Sequence, residues 1–285
     1  MSFEHHSENG LAPALGQGVQ FYDTGSLNGN SSVHQSPFLV KDGGQPRLFT
    51  VSQVPHPPFE KLANPGPLGL LAFAITTFVL GLYQCGAGLP GSNPRGDIGP
   101  DAAIFGLAIF MGGLAQLLAG LMEFRVGNTF GTTVHISYGA FWLSYAMFHV
   151  PTLGIKAAYK GDERAFSFAI AIYLILWCFL TFLFLLAALR TNIAIVSVFT
   201  TLVLAFFFLS LANFIATEHP DAAIAVNRTG GAVSVVCAFL AFYAGSSGIM
   251  LPETTFIKFP LGKFESAQDQ QQQQQQQQQE ATHKV

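Results

Sequence analysis

The sequence predicts an all-α membrane protein, a bundle of six transmembrane helices between two polar tails. The chain has 285 residues, of which 50% are hydrophobic and only 10% are charged, whereas soluble domains carry about a quarter charged residues. Six apolar runs between positions 68 and 251 each approach the ~20 residues that an α-helix needs to cross about 30 Å of hydrocarbon. Lipid-facing open strands are excluded, because hydrocarbon offers no partner for their edge N–H and C=O groups.

The predicted domains follow from where the apolar runs begin and end. Residues 1–62 are rich in Gly, Asn and Ser and offer too little apolar surface to offset the entropy of ordering, so they are predicted to be a disordered tail. Residues 63–252 form the predicted transmembrane domain, and residues 253–285 form a second tail with a polyglutamine run at 270–279. The six spans are predicted at 68–89, 102–122, 130–148, 166–189, 193–215 and 231–251.

Charge places the tails and excludes several kinds of partner. An even number of spans puts both tails on one side, where six basic residues lie near the membrane against five on the other side. The positive-inside rule therefore predicts cytoplasmic tails. The net charge of −3 without a basic cluster excludes nucleic acid as a partner, because phosphate binding requires clustered Lys and Arg. The sequence has no convergent nucleophile, acid–base pair or metal-ligand spacing, so neither an enzyme nor a cofactor is predicted.

The second predicted span carries three evenly spaced glycines. Gly106, Gly113 and Gly120 are one heptad apart, which places them on one stripe of a helix. Membrane helices associate by close packing at small residues, so the stripe predicts tight packing between helices or subunits. The alternative is that glycine is simply common in membrane helices.

The first predicted span opens with Asn64-Pro65-Gly66-Pro67. Asn64 is suited to capping the helix, and Pro65 is suited to its first turn. The free N–H groups and the helix dipole make this end weakly positive, so a carboxylate could bind there. The alternative is a helix cap that makes no contact with substrate.

The third predicted span is the most polar, and polar groups at that depth usually face protein or a water-filled path. This span is therefore the first candidate for lining a pore. His135 could titrate near neutral pH, and a packing role is the alternative. Glu123, at the end of the second span, is interpreted as an ion-pair partner of Arg125, and the alternative is a side chain that extends to water. The polar residues of the third span are Asn128, Thr129, Thr132, Thr133, His135, Ser137, Tyr138, Ser144 and Tyr145.

Six short motifs stand out between about residues 63 and 262. They are NPGPLGL at 64–70, GNTFG at 127–131, SYG at 137–139, FW at 141–142, AN at 212–213 and FPLG at 259–262. Together they resemble the acetate uptake transporters of fungi and bacteria, also called succinate-acetate permeases, whose opening signature is NPAPLGL. The chain departs from this pattern at Gly66, where alanine or valine is usual, and at His135, where an apolar or aromatic residue is expected.

The resemblance implies six helices per subunit and a homo-hexameric ring with one path in each protomer. It also implies a hydrophobic constriction built from an aromatic residue of the first helix, a tyrosine of the third and a leucine of the fifth. The matching residues are Phe73, Tyr138 and Leu202. The substrate-binding candidates along the path are Asn64, Thr133, Asn213 and His135. The long tails resemble the fungal branch of the family, which lies in the plasma membrane.

Two functions stay open at this point. The first is transport of acetate or related short monocarboxylates across the lipid bilayer, by proton symport or channel-like passage. An apolar neck suits the methyl group, and positive helix ends suit the carboxylate. The alternative is a membrane sensor of acetate or ammonium that signals through its cytoplasmic tails. Removing the tails separates the two, because a transporter should keep its flux.

Overall fold

The computed structural model describes residues 38–42, 45–49, 62–87 and 103–262. The chain divides into two compact units, Met1–Leu62 and Ala63–Val285. In the first unit, β1 (Phe38–Asp42) and β2 (Gln45–Phe49) pair as an antiparallel hairpin. The sequence analysis did not predict this hairpin. The rest of the N-terminal tail, the outer ends of the first two predicted spans and the polyglutamine run lie outside the described residues, so the domain assignments stay predictions.

The described part of the second unit is helical. The helices are α1 (Gly66–Gln84), α2 (Phe105–Arg125), α3 (Thr129–Met147), α4 (Glu163–Ala188), α5 (Ile193–Phe214) and α6 (Pro220–Ser247). α2 is continuous but contains a π-helical segment, Ala108–Ala115, between two α-helical parts. Two short 3-10 turns lie between α3 and α4.

Five of these helices are long and apolar enough to cross a membrane, which confirms the prediction of an apolar helical bundle. They are α1, α2, α4, α5 and α6. α3 has 19 residues, which at 1.5 Å per residue spans about 28 Å. It is absent from the candidate spans among the described residues because its hydroxyl groups and His135 lower its mean hydropathy.

Two helices begin three or more residues before their predicted start. α4 begins at Glu163 because the Asp162 carboxylate accepts a hydrogen bond from the Ala165 N–H at 2.9 Å and caps the helix. α6 begins at Pro220 rather than at 231. Proline suits a first helical position, since its missing N–H would have no partner there. Residues 220–230, which the predicted spans left in the connection before the sixth span, are therefore helical.

The helices pack in a closed ring. α3 packs against α2, α2 against α1, α1 against α6, α6 against α5, and α5 against α4. Aromatic contacts between α3 and α4 complete the ring, with the Tyr138 ring centroid 6.3 Å from that of Trp177 and 5.8 Å from that of Phe184. The Phe141 ring reaches across to Phe206 of α5, at 5.2 Å between centroids. Side chains from non-neighbouring helices thus meet at the centre of the bundle.

The π-helical segment changes which glycines of α2 face α3. A Cβ at Gly113 would lie 2.6 Å from Leu143 Cδ2, and a Cβ at Gly120 would lie 2.6 Å from Ile136 Cγ1. Both glycines therefore allow close approach of α3. A Cβ at Gly106 would meet no described atom within 4 Å. A π-helical turn contains more residues than an α-helical turn. Residues seven positions apart therefore do not stay on the same face of the helix across the π-helical segment.

The segment after α6 returns to the start of α5. The Ile193 N–H donates to the Gly262 carbonyl at 2.9 Å, and the Ala194 N–H donates to the Leu261 carbonyl at 3.2 Å. The Tyr243 hydroxyl donates to the Pro260 carbonyl at 2.7 Å. These bonds give partners to N–H groups that a helix start otherwise leaves open. The FPLG motif therefore has a structural role, because its carbonyl groups accept these hydrogen bonds.

Candidate functional site

Two cavities enter the part of the helical bundle that the structure describes. The larger, which we name the His149 cavity, has a volume of about 420 Å³, and its polar lining includes Gln84, His149 and Asn213. The smaller, which we name the Glu123 cavity, has a volume of about 230 Å³, and its polar lining includes Gln116 and Glu123. The C-terminal ends of α1, α3 and α5 line the His149 cavity, while their N-terminal ends line the Glu123 cavity. The cavities therefore open at opposite ends of the bundle.

Phe73, Tyr138 and Leu202 lie between the two cavities. Of the described residues, only these three line both. Their side chains come from α1, α3 and α5, and their exposed fractions are 5%, 3% and 4%. The ring centroids of Phe73 and Tyr138 are 5.8 Å apart. The structure thus brings together the three residues that the sequence analysis assigned to a constriction, at the point where the two cavities meet.

Thr181 of α4 fixes the position of the Tyr138 ring. The Tyr138 hydroxyl donates to Thr181 Oγ1 at 3.0 Å, and the Thr181 hydroxyl donates to the Trp177 carbonyl at 2.7 Å. Both residues are buried, so the chain of two hydrogen bonds satisfies groups that water does not reach. A lone hydroxyl within an apolar span, such as that of Thr181, predicts a hydrogen bond between membrane helices. The sequence did not indicate that its partner would be Tyr138.

Glu123 is a buried carboxyl group at the end of the Glu123 cavity. Its exposed fraction is 3%, and its Oε2 accepts a hydrogen bond from Asn128 Nδ2 at 2.7 Å. Asn128 in turn caps α3, since its Oδ1 accepts from the Gly131 N–H at 3.0 Å. The predicted ion pair with Arg125 is wrong. Within the described residues the ion pairs lie elsewhere, and Arg125 is exposed.

Two further buried polar groups line the Glu123 cavity. His135 has an exposed fraction of 6% and Gln116 has one of 1%. In the described part of the chain, neither His135 Nδ1 nor Gln116 Oε1 has a hydrogen-bond partner. Gly69 provides the room for the imidazole, because a Cβ at this position would lie 2.7 Å from His135 Nε2. His135 therefore faces α1 and the cavity.

The remaining predicted site residues lie in three different places. Asn213 lines the His149 cavity, and its Nδ2 donates to the Leu209 carbonyl at 2.8 Å. Asn64 Oδ1 accepts from the Gly66 N–H at 3.1 Å beside the start of α1, outside both cavities. Thr133 is exposed on α3, also outside both cavities. The structure thus places Asn213 near the path and the other two away from it.

The His149 cavity contains polar groups that the sequence analysis did not assign to a site. Asn227 is buried with an exposed fraction of 6%, and its Nδ2 donates to the Gln84 carbonyl at 3.4 Å. Thr77 and Ser234 also line this cavity. The predicted sixth span begins only at 231, which placed Asn227 in the connection just before it. The helical extension of α6 turns it toward α1 instead.

These features define a class of protein. The chain is a multi-pass helical membrane protein whose bundle is entered by one cavity from each end, with an apolar junction of Phe73, Tyr138 and Leu202 between them. More particularly, the chain belongs to the GPR1/FUN34/yaaH family, whose family model matches residues 49–266. This membership confirms the resemblance found in the sequence motifs.

Three relatives indicate the range of proteins to which the chain is similar. Acetate permease A of Emericella nidulans is 36% identical over 72% of this chain and 67% of its own length. Ammonia transport outward protein 2 of Saccharomyces cerevisiae is 38% identical over 70% of this chain and 66% of its own length. The succinate-acetate/proton symporter SatP of Escherichia coli is 31% identical over 71% of this chain and 97% of its own length.

A solved structure of the bacterial acetate channel SatP is also similar in fold. It superposes with a TM-score of 0.55 at 30% sequence identity, and the match covers 71% of this chain and 100% of that chain. The similarity therefore extends over the whole of the bacterial chain.

Proposed function

We propose that this protein transports acetate and related short monocarboxylates across the plasma membrane, through a path that joins the two cavities. The observation that carries the proposal is that Phe73, Tyr138 and Leu202 alone among the described residues line both cavities. A solute that crosses the bundle passes these three side chains. The relatives named as acetate permease, symporter and channel support acetate as the solute.

The chemistry of the junction suits a small acid with an apolar methyl group. Its three side chains are apolar except for the Tyr138 hydroxyl, which is already bonded to Thr181. Hydrophobic constrictions of this kind restrict passage by size and by excluding water. The polar groups on either side, such as Gln84 and Asn213 at one end and Gln116 at the other, can contact a carboxylate before and after the neck.

We also propose six membrane spans, with α3 as the sixth, and cytoplasmic termini. The polar groups of α3 support this assignment, because His135 and Tyr138 are buried within the bundle rather than facing lipid, as expected for polar groups inside membranes. A homo-hexamer would bury some of the apolar surface that one chain leaves exposed. On α2 this surface includes Phe110, Leu114, Leu118 and Leu121.

The test of transport is uptake of radiolabelled acetate into liposomes that contain the purified protein. We expect saturable uptake above that of empty vesicles, and competition by unlabelled short monocarboxylates. The absence of both would refute transport. The variants Phe73→Ala and Phe179→Ala make a matched pair, because Phe73 lies at the junction and Phe179 is 60% exposed on α4. Only Phe73→Ala should change the rate or the range of acids carried.

A further inference from the structure

The Glu123 cavity holds a buried carboxyl group beside the proposed path. Glu123 Oε2 is bonded to Asn128, and its Oε1 lies at the start of α1, 3.2 Å from where a Cβ of Gly66 would be. A Cβ at Gly131 would lie 2.9 Å from the Glu123 carboxyl carbon. Two glycines therefore leave room for this group. Each belongs to the first turn of a helix.

The groups that face Glu123 provide no full positive charge among the described residues. α1 has no Lys, Arg, His, Asp or Glu between Gly66 and Gln84, and its one titratable residue, Tyr83, lies at its far end. α3 contributes His135 and Tyr138 to the same cavity. On α2 itself, Arg125 is exposed and forms no ion pair with Glu123 within the described part.

Two unpartnered polar atoms mark the cavity as a binding site. Gln116 Oε1 and His135 Nδ1 are buried without a hydrogen-bond partner in the described part of the chain, and both residues line the Glu123 cavity. Buried polar atoms are normally satisfied, so groups left open in a cavity call for a ligand or water. The open groups lie in the same cavity as Glu123. A small hydrogen-bonding solute fits this chemistry.

A short carboxylic acid in this cavity creates a problem of charge. Two carboxylates that share a site poorly exposed to water cannot both stay ionised, because like charges at short range strongly disfavour the doubly ionised state. The pair is stable when one proton lies between the two groups. The helix N-termini at Gly66 and Asn128 favour one negative charge in this cavity. The shared proton neutralises the negative charge of the second carboxylate.

We propose that Glu123 and the substrate carboxylate share one proton whenever a short acid occupies the Glu123 cavity, so that each acid crosses together with a proton. This inference rests on the proposed transport function. The acid enters as R–COOH and its O–H donates to the Glu123 carboxylate. The pair then holds one proton and one negative charge. On exit the proton and R–COO⁻ leave together, and Glu123 returns to its carboxylate form.

The decisive variant is Glu123→Gln, which keeps the size of the side chain and an oxygen that accepts from Asn128, but removes the charge. Without that charge, the cavity can accept the acid anion alone. Uptake by the parent chain should follow a pH gradient and ignore the membrane potential. Uptake by the Gln variant should respond to the potential. A potential of about 60 mV, inside positive, changes the equilibrium accumulation of a monovalent anion about tenfold.

The experiment measures initial rates of radiolabelled acetate uptake by full-length protein in liposomes, with the uptake of empty vesicles subtracted. Runs at about pH 7.5 keep nearly all free acetate ionised, because carboxyl groups titrate near pH 4. One series imposes a pH gradient without a potential, and the other imposes a potential without a pH gradient. Glu218→Gln serves as the matched control, since it makes the same change at an exposed carboxylate that lies outside both cavities.

Each outcome supports or overturns the inference. Potential-driven uptake by Glu123→Gln, with the parent and Glu218→Gln still driven by the pH gradient, supports it. A Glu123→Gln variant that behaves like the parent overturns it, as does the same loss of proton coupling in Glu218→Gln. If Glu123→Gln does not fold, potential-driven uptake by the parent chain still overturns the inference, and its absence supports it. A parent chain without saturable uptake would overturn the transport function first, and this inference with it.

Discussion

The two cavities of this bundle carry their charged groups in opposite ways. At the His149 cavity, Lys156 and Glu163 form an ion pair at 3.1 Å with 64% and 60% of their side chains exposed. Such exposed pairs contribute about 0–1 kcal/mol, because water screens them. At the Glu123 cavity the carboxyl group is almost fully buried and bonded to an amide. The charges at the His149 cavity therefore stay in water. A solute in the Glu123 cavity instead meets a buried carboxyl group that has no ion-pair partner among the described residues.

This difference suggests that the two cavities have different roles along the path. The larger His149 cavity offers amide groups, hydroxyl groups and a solvent-exposed ion pair, which suit entry or release of a solvated acid. In the smaller Glu123 cavity, the negative charge of a bound acid would lie near that of Glu123. The apolar junction separates the two environments, and changes at or near it test whether that separation matters.

The largest effect is expected for Leu202→Phe. The added ring volume would fill the junction where both cavities meet, so acetate flux should fall by at least about tenfold, and overpacking should cost about 1–3 kcal/mol of stability. Uptake into liposomes measures the flux, and a thermal unfolding scan in detergent measures the stability.

The control for Leu202→Phe lies on the same helix. Leu204 is 44% exposed and points away from the junction, so Leu204→Phe should leave the flux near that of the parent. Equal flux in the two variants would show that the junction does not limit passage. The separation of the two cavities by this junction would then have no effect on transport.

The second effect concerns the packing that holds α3 in place. Gly113→Ala should destabilise the bundle by about 1–3 kcal/mol, because the new Cβ would lie 2.6 Å from Leu143 Cδ2 and 2.8 Å from the Ala108 carbonyl oxygen. A Cβ at Gly106 meets no described atom within 4 Å, so Gly106→Ala should gain up to about 1 kcal/mol from helix propensity. Thermal unfolding of both variants in detergent checks this order.

Gly106→Ala also tests the proposed hexamer. If Gly106 lies against a second copy of the chain, Gly106→Ala should weaken the assembly, and light scattering coupled to size-exclusion chromatography should show a smaller particle. An unchanged particle together with a higher unfolding temperature would place Gly106 outside subunit contacts.

A smaller effect is expected for Thr181→Val. The change removes the acceptor of the buried Tyr138 hydroxyl, and leaving such a group unsatisfied costs about 1–3 kcal/mol. The tyrosine ring should become less fixed, so the flux and the selectivity between acetate and longer acids should shift by a few-fold. Thr200→Val is the control, because the Thr200 hydroxyl bonds only to its own helix and is exposed. Similar uptake profiles in both variants would contradict the positioning role.

Some features of the fold followed from the sequence because apolar length is a strong signal. Five spans are confirmed on that basis, while α3 is the exception because its polar side chains lower its hydropathy. The same polar content indicated that α3 lines a path, and His135 and Tyr138 do line the Glu123 cavity. Thr133 does not. Polar residues occur on several faces of α3, so composition could not determine which face turns inward.

Other features depended on contacts that no local pattern records. The π-helical segment of α2 lies in a uniformly apolar and glycine-rich stretch, where a regular helix was the default expectation. The early start of α6 places Asn227 against α1, a contact between segments far apart in sequence. The junction residues were named by resemblance to a family, not from spacing. Glu123 was paired with Arg125 because they are close in sequence, but the cap of α3 supplied a nearer partner in Asn128.

The smallest effect is expected from removing the tails. A chain without residues 1–54 and 270–285 keeps every described residue that lines either cavity, so its acetate flux should stay within about twofold of the parent. Uptake into liposomes measures this flux. A full loss of flux would mean that the path extends into the tails. Retained flux with loss of an acetate-dependent cellular response would instead support a sensing role, added to transport by the polar tails.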